Sequence, residues 1–563
     1  MENNQASNRT AKILIVCGVL LISAVIAFWM LSERTLDSHE CFVSLTAREM
    51  LQSGDWLIPT CNGHPRLNKT PLSYWLVAGA ARITGKVDEV TARLPSVVFA
   101  ILSAAAVLYF VNQWLSFRIA IMSTIVWVTS LGYLRNSHSA RPDMALAFFI
   151  VLCLMSFYSA VTAENRRKQI IYMLIFWISF GLGNLAKGPA PIPLVLIPLA
   201  AYVVINRSWK LMPKLLPFTG IIIFLAIMLP WPLFIANSWH WDLTLWKKEY
   251  VQRLYGEYAP GRYPIYFYFL IMFKFITPWV AFLPMALAAP FYRIWDKKQP
   301  VMKFLWLWFA ADFIFLTIDA GKRQHYILPL MPAMTILIGI LLEDMIFERK
   351  AYSKIFAKNV LQWHIVALIV GITAATIYLV KANPQTIPAM LILLSIAIVI
   401  SAVVSVLFAK GNNAAACGVG FAGIAAWTII AYASFTVLLD INKGAREFAL
   451  KIAAIVPQSD KLVAYKHAST RFVQYFGKVV PEIEDKSVLY NYYEQGNWIV
   501  ATSGYLEDLA GDTRFREAYH KAIDRKGDEK EDTGGILFHK STPVVKDDGA
   551  GNSVNKTTST DSQ

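Results

Sequence analysis

Charge is scarce in this chain. Asp, Glu, Lys and Arg make up 16% of its 563 residues, against 56% that are hydrophobic. Soluble globular chains carry roughly 25% charged residues, so a soluble fold is excluded. Acidic charge is the scarcer kind, with 38 Asp and Glu against 53 Lys and Arg, a formal +15. In a soluble protein that balance would suggest nucleic acid. Here most Lys and Arg stand in short links between apolar runs, where orientation signals and lipid head groups account for them. Cysteine is rare and shows no metal-like spacing. Of the five, Cys17, Cys153 and Cys417 sit in apolar runs as small packing residues. Cys41 and Cys61 share one loop; they either pair, if it faces an oxidising compartment, or stay separate thiols. No Gly-rich loop ends in Gly-Lys-Ser or Gly-Lys-Thr, which removes the usual sign of ATP use, and no His-Glu-x-x-His is present. Residues 12–32 lack a following A-x-A-like site, so they are expected to form an uncleaved first span rather than a signal peptide.

What is abundant is long apolar runs. A span needs roughly 20 residues. By that measure about thirteen spans are expected, near 12–32, 92–112, 118–134, 142–162, 169–186, 189–206, 215–236, 264–290, 301–318, 326–346, 361–380, 387–408 and 415–439. The expected architecture is therefore an all-α polytopic membrane domain over 1–440, a small α/β soluble domain over 441–540 and a disordered tail over 541–563. Short basic links such as Arg166-Arg167-Lys168, Arg207/Lys210/Lys214 and Arg349/Lys350/Lys354/Lys358 belong in the cytoplasm by the positive-inside rule. The N-terminus is then inside, and an odd span count puts the C-terminal domain outside. The first outer loop, 33–91, carries two helices expected at the interface. One opens at Asp37-Ser38-His39-Glu40 and stops near Ser53 before Gly54; the other runs from Pro71 to about Thr84 before Gly85.

Ionisable residues at span ends are costly and become functional candidates. In the outer connections these are Asp37, His39 and Glu40; Lys69; Arg135, His138, Arg141 and Asp143; Lys187; Arg262; and Lys322, Arg323 and His325 with Tyr326. The alternation of spans puts all of them on one face. Each has a plainer reading. Asp37 and Glu40 have capping-box spacing, although i and i+3 also share a face suited to acid–base work. Asp143 and Arg141 fit a structural ion pair. Lys69 precedes a helix start, where a bound phosphate would relieve its conflict with the helix dipole; a lysine snorkelling to head groups is the alternative. Lys187-Gly188-Pro189 is a tight turn at least. The Lys322–Tyr326 cluster suits lipid anchoring as well as substrate binding.

Several of these residues fall within a series of motifs. Arg48-Glu49-Met50-Leu51 is followed by Ser53-Gly54-Asp55-Trp56, Pro59 and Asn62-Gly63, then by Lys69-Thr70-Pro71-Leu72 with Tyr74-Trp75. Ala92-Arg93-Leu94-Pro95-Ser96, Arg141-Pro142-Asp143, Lys187-Gly188-Pro189 and His325-Tyr326 complete it. In this order the chain resembles the polyprenyl-phosphate-sugar-dependent glycosyltransferases of the C-type membrane superfamily, nearest to the 4-amino-4-deoxy-L-arabinose lipid A transferase family. The protein O-mannosyltransferases resemble it more distantly. The resemblance implies transfer of a sugar from an undecaprenyl-phosphate donor, on the periplasmic side of the inner membrane, to lipid A, another envelope glycan or a protein hydroxyl. It implies Lys69, Lys187, Arg262, Arg323 and Tyr326 as the donor-phosphate set, Asp37, Glu40 or Asp143 as the acid–base group, and His39, Arg141 and His325 beside them. Adjacent Asp-Glu is usual in the family where this chain has His39 and Glu40. Asn68 stands where the family often has Glu, so no metal site is expected and no cofactor is required; any divalent metal lacks that ligand. A flippase of lipid-linked sugars is the competing reading, but no internal repeat supports it.

Overall fold

The structure is a computed structural model that describes residues 2–239, 263–291, 298–353, 384–438 and 443–502 continuously, with 519–523, 535–540 and isolated positions besides. Arg262, most of the expected span 361–380, most of the loop 237–263 and the tail 541–563 lie outside the described residues. The chain divides into two compact units, Met1–Lys443 and Gly444–Gln563.

The first unit is a multi-pass membrane protein. Among the described residues, eight helices are long and apolar enough to cross a bilayer, or up to ten if each of two bent pairs is one span. The N-terminal half comprises α1 (Glu2–Phe28), α2 (Ser38–Ser53), α3 (Leu72–Thr84), α4 (Glu89–Trp114), α5 (Phe117–Val128), α6 (Leu131–Ser137), α7 (Asp143–Val161), α8 (Arg166–Lys187) and α9 (Pro191–Ile205). There follow α10 (Pro217–Met228), α11 (Pro230–Trp239), α12 (Phe267–Ile276), α13 (Leu283–Ala288), α14 (Gln299–Ile318), α15 (Met331–Glu343), α16 (Ile387–Ala409) and α17 (Asn413–Leu438).

Several expected spans are broken, and each break has a local cause. The run expected over 118–134 bends by 59° between α5 and α6, where Ser130 leaves the helix to cap the Tyr133 N–H. Pro230 opens α11 one residue after α10 closes, because a proline cannot donate the next helical bond. The run expected over 326–346 starts as a 3-10 turn at Gln324–Leu330 and ends as a π turn at Asp344–Glu348. Spans are fastened by buried polar pairs: Trp127 Nε1 donates to Ser103 Oγ (2.9 Å), Trp279 Nε1 to Thr129 Oγ1 (3.0 Å), and Tyr133 Oη meets Ser23 Oγ (2.6 Å).

The connection between α1 and α4 is tightly built. Asp37 caps α2 and Gly54 ends it in the left-handed region at φ 75°. Between α2 and α3 a two-stranded ribbon, β1 (Thr60–Cys61) and β2 (His64–Pro65), turns on Asn62-Gly63, both at positive φ. Glu49 on α2 closes the turn, accepting from Thr60 Oγ1 (2.6 Å) and the Asn62 N–H (2.7 Å). Cys41 and Cys61 are separate thiols.

The second unit opens within α18 (Lys443–Ile455), from Gly444 onward. A five-stranded sheet follows, in the order β4 (Glu482–Ile483), β3 (Leu462–Tyr465), β5 (Trp498–Thr502), β7 (Gly535–His539), β6 (Tyr519–Ile523). β3 pairs in parallel with β4 and β5, while β7 is antiparallel to β5 and β6. Helices α19 (Thr470–Phe476) and α20 (Lys486–Glu494) complete it.

Candidate active site

Glu40 is the hub from which the site is built. Its carboxylate is wholly buried and takes five donors: Arg93 Nε (3.0 Å) and Nη2 (3.1 Å), Arg34 Nη2 (3.1 Å), the Asp37 N–H (3.0 Å) and the Ala140 N–H (2.9 Å). Burial alone would raise its pKa; the Arg93 and Arg34 charges hold it down to about 2. With both oxygens committed, Glu40 is a structural anchor, and the acid–base role considered for it from sequence is withdrawn. Asp37 and Glu40 do form the capping box that their spacing suggested. The Glu40 carboxylate ties the start of α2 to the loop before α7, and Ser96 Oγ ties α4 to the same loop by donating to the Ser139 carbonyl (2.6 Å).

That tie fixes Arg141 and Asp143. Arg141 Nη2 donates to Asp37 Oδ2 (2.6 Å), the other oxygen of Asp37 being occupied by the His39 and Glu40 N–H groups. Asp143, the first residue of α7, is buried; Lys187 at the end of α8 donates to it, and His325 Nε2 lies 3.6 Å away. The Lys187 ammonium also sits 4.7 Å from the centre of the Tyr326 ring. Gly188 lets the chain turn there: at φ 62° and ψ −148° its backbone is closed to residues with a Cβ. Its N–H donates to Thr70 Oγ1 (3.1 Å), so the residue beside Lys69 and the residue beside Lys187 are bonded to each other. Across the mouth, Arg323 Nη1 approaches His39 Nε2 at 3.5 Å.

Asp37, His39, Arg141, Asp143, Lys187, Arg323, His325 and Tyr326 thus come together from four separate connections, with Lys69 next to the Thr70–Gly188 bond. His39 is exposed at the mouth. Its pKa is lowered, first by partial burial of the ring and then by the Arg141 charge, so the imidazole is neutral at pH 7. Part of the wider cluster read from sequence is engaged away from this set. Lys322 is buried and donates to its own loop at the Asp319 carbonyl (2.7 Å). His138 is buried, bridging the Leu134 and Trp29 carbonyls. Arg135 Nη1 donates to Gln324 Oε1 (2.6 Å), which Lys274 Nζ also reaches at 3.3 Å. Sequence reasoning missed Lys274; its signal was a lone lysine in the apolar run Phe267–Ile276. It also missed Arg34 and the buried role of Arg93. Among the described residues no three His, Cys, Asp or Glu side chains are grouped to hold a metal.

The site is thus a set of ion pairs gathered at one rim of a membrane bundle, with the Lys187 ammonium on an aromatic face and the His39 imidazole at the mouth. Residues 36–242 match the family of dolichyl-phosphate-mannose-protein mannosyltransferases. The chain is 26% identical over 326 residues, 56% of its length, to the undecaprenyl phosphate-alpha-4-amino-4-deoxy-L-arabinose arabinosyl transferase of Pseudomonas paraeruginosa. It is 27% identical over 305 residues to the enzyme of that name from Yersinia pestis. The matches span 58% and 53% of those two relatives' own lengths. The fold is that of ArnT from Cupriavidus metallidurans bound to undecaprenyl phosphate. The TM-score is 0.79 at 18% identity, covering 94% of this chain and 98% of that one. The apo form of the same protein superposes equally well, with a TM-score of 0.78. The likeness in fold to ArnT therefore extends along nearly the whole chain.

Proposed function

We propose that the chain is a glycosyltransferase moving a sugar from an undecaprenyl-phosphate donor to an acceptor on the outer face of the inner membrane. Lipid A or another envelope glycan is the favoured acceptor class. The observation that carries this reading is the convergence of Arg141, Lys187 and Arg323 with Asp37, His39 and Asp143 from separate connections at one rim of the bundle. The full topology consistent with it has thirteen spans, a cytoplasmic N-terminus and the second unit outside.

In the reaction, the bond between the sugar anomeric carbon and the donor phosphate oxygen breaks, and a bond to the acceptor oxygen forms. The acceptor hydroxyl proton passes to a base, and polyprenyl phosphate leaves. Lys69, Lys187 and Arg323 bind the phosphate and stabilise the charge it gains. In the free enzyme Asp143 holds Lys187 and faces His325, keeping both in place for the donor. Asp37 keeps Arg141 in the site. His39 is the base: its imidazole is exposed at the mouth and, with its pKa lowered, neutral at pH 7. No nucleotide is needed, because the lipid-linked donor brings the activated bond, and no metal is required in this reading.

Transfer of radiolabelled sugar from an undecaprenyl-phosphate donor, assayed with purified full-length protein, tests the assignment. Lys69→Ala and Asp143→Asn are each expected to abolish transfer in protein that still inserts. Near-normal transfer by both variants, or movement of lipid-linked sugar across vesicles without bond exchange, would overturn it.

A further inference from the structure

A cavity of about 400 Å³ lies at the far end of α15 from the acid–cation cluster. From His325 to the Arg349 that borders the cavity, the helical rise spans roughly 35 Å. The volume falls within the roughly 300–1,000 Å³ of small-molecule pockets. Its walls are mostly apolar, with Trp279, Phe282, Ile346, Phe408 and Phe421 among them.

Two features show that the cavity is not merely a packing gap. The first is His364. It lines the cavity at 6% exposure, with its ring 4.5 Å from the Phe282 ring and parallel to Trp279 within 10°. Neither ring nitrogen has a hydrogen-bond partner among the described residues. Leaving such a group unpaired is costly, and a ligand oxygen or hydroxyl at this point would offset the cost. The second is Arg349, an exposed guanidinium on the cavity wall. Among the described lining residues there is no carboxylate. The acids nearest in sequence are engaged elsewhere. Asp344 accepts the Lys350 and Ala351 N–H groups, and Glu348 pairs with Lys298 and Lys350. Lys410, in the exposed turn joining α16 to α17, adds positive charge at the same membrane end.

We infer that this cavity binds one anionic phospholipid of the bilayer. An acyl chain fills the apolar part, the phosphate meets Arg349, and a glycerol-ester oxygen meets His364. An apolar body with one anionic head satisfies the wall, the unpaired imidazole and the guanidinium together. The site stands apart from the transfer site and does not depend on the reaction proposed for it.

Native mass spectrometry of the full chain in detergent tests this, with added dioleoylphosphatidylglycerol and dioleoylphosphatidylcholine as probes. One phosphatidylglycerol is expected to bind, about tenfold more tightly than phosphatidylcholine. Arg349→Gln, a surface change, is expected to remove that preference. Ser405→Trp, on the cavity wall, is expected to lower occupancy of both lipids at an unchanged melting temperature. Equal binding of the two lipids, or unchanged binding in Arg349→Gln, would overturn the inference. So would retention of undecaprenyl phosphate in place of phosphatidylglycerol with a loss of that retention in Arg349→Gln. If Ser405→Trp fails to fold, the Arg349→Gln comparison decides alone.

Discussion

Single residues in this site divide into those that hold and those that act, and Glu40 and His39 stand at the two extremes. Removing the Glu40 charge leaves the buried Arg93 guanidinium bonded to the Leu31, Arg34 and Thr35 carbonyls but without its buried counter-charge, and breaking a buried pair costs about 3–5 kcal/mol. Glu40→Gln is therefore expected to lower the thermal midpoint of the purified protein sharply, and Arg93→Ala similarly. The depressed Glu40 pKa has a defined consequence for pH. Its stabilisation is complete above about pH 4.5, the ordinary range for Glu, and is lost as pH falls through about 2. His39 works in the other direction. Only the neutral imidazole accepts a proton, and its pKa lies below the ordinary 6.5. The acid-side fall in transfer is therefore expected at lower pH than an unperturbed imidazole would set. Arg141→Ala removes one lowering charge, and its residual activity is expected to fade at higher pH than wild type. His39→Ala is expected to cost about 10²–10⁴-fold in rate, with the thermal midpoint little changed. A rate for His39→Ala within a few-fold of wild type would remove it as the base.

At the scale of elements, close approach decides where the site stands. α15 carries His325 and Tyr326 at its entrance, and Gly339 further along meets α5. A Cβ at Gly339 would fall 2.1 Å from Ser123 Oγ and 2.9 Å from the Ser123 backbone nitrogen. Gly339→Val is expected to push these helices apart at about 1–3 kcal/mol, read as a lower melting temperature and reduced folded yield. How much of this was legible in sequence depends on whether the signal was local. Interface helices α2 and α3 were readable because Asp37, Gly54, Pro71 and Gly85 are local start and stop signals. The bends at Ser130 and Pro230 were not anticipated, because hydropathy averages across a run and does not register one residue leaving the helix. Within the site, the gathering of Lys187, Asp143, Arg141 and Arg323 followed from the alternation of spans. That Glu40 is spent on Arg93 could not be read, since 53 residues separate them and only packing brings the pair together.

For the whole molecule, the account requires one face. Ion pairs join α2, the loop before α7 and the end of α8, and the His325 ring at the entrance to α15 lies 3.6 Å from Asp143, so these connections share a side of the membrane by geometry alone. The short basic links propose the outer side, which labelling tests. Single cysteines introduced at Ser38 and Glu164, in a variant lacking the five native cysteines, are expected to react from opposite sides with an impermeant maleimide. In right-side-out vesicles the Ser38 position should label and the Glu164 position should not. The reverse pattern would invert the topology and move the site to the cytoplasm.

The most direct measurement is of the ligand itself. Purified full-length protein is titrated with undecaprenyl phosphate and with neutral undecaprenol, beside a Lys187→Ala/Arg141→Ala variant. Wild type is expected to favour the phosphorylated lipid by more than about tenfold, worth 1.4 kcal/mol or more, and the variant to lose that preference. Equal affinity of wild type for the two lipids, or an undiminished preference in the variant, would contradict the account.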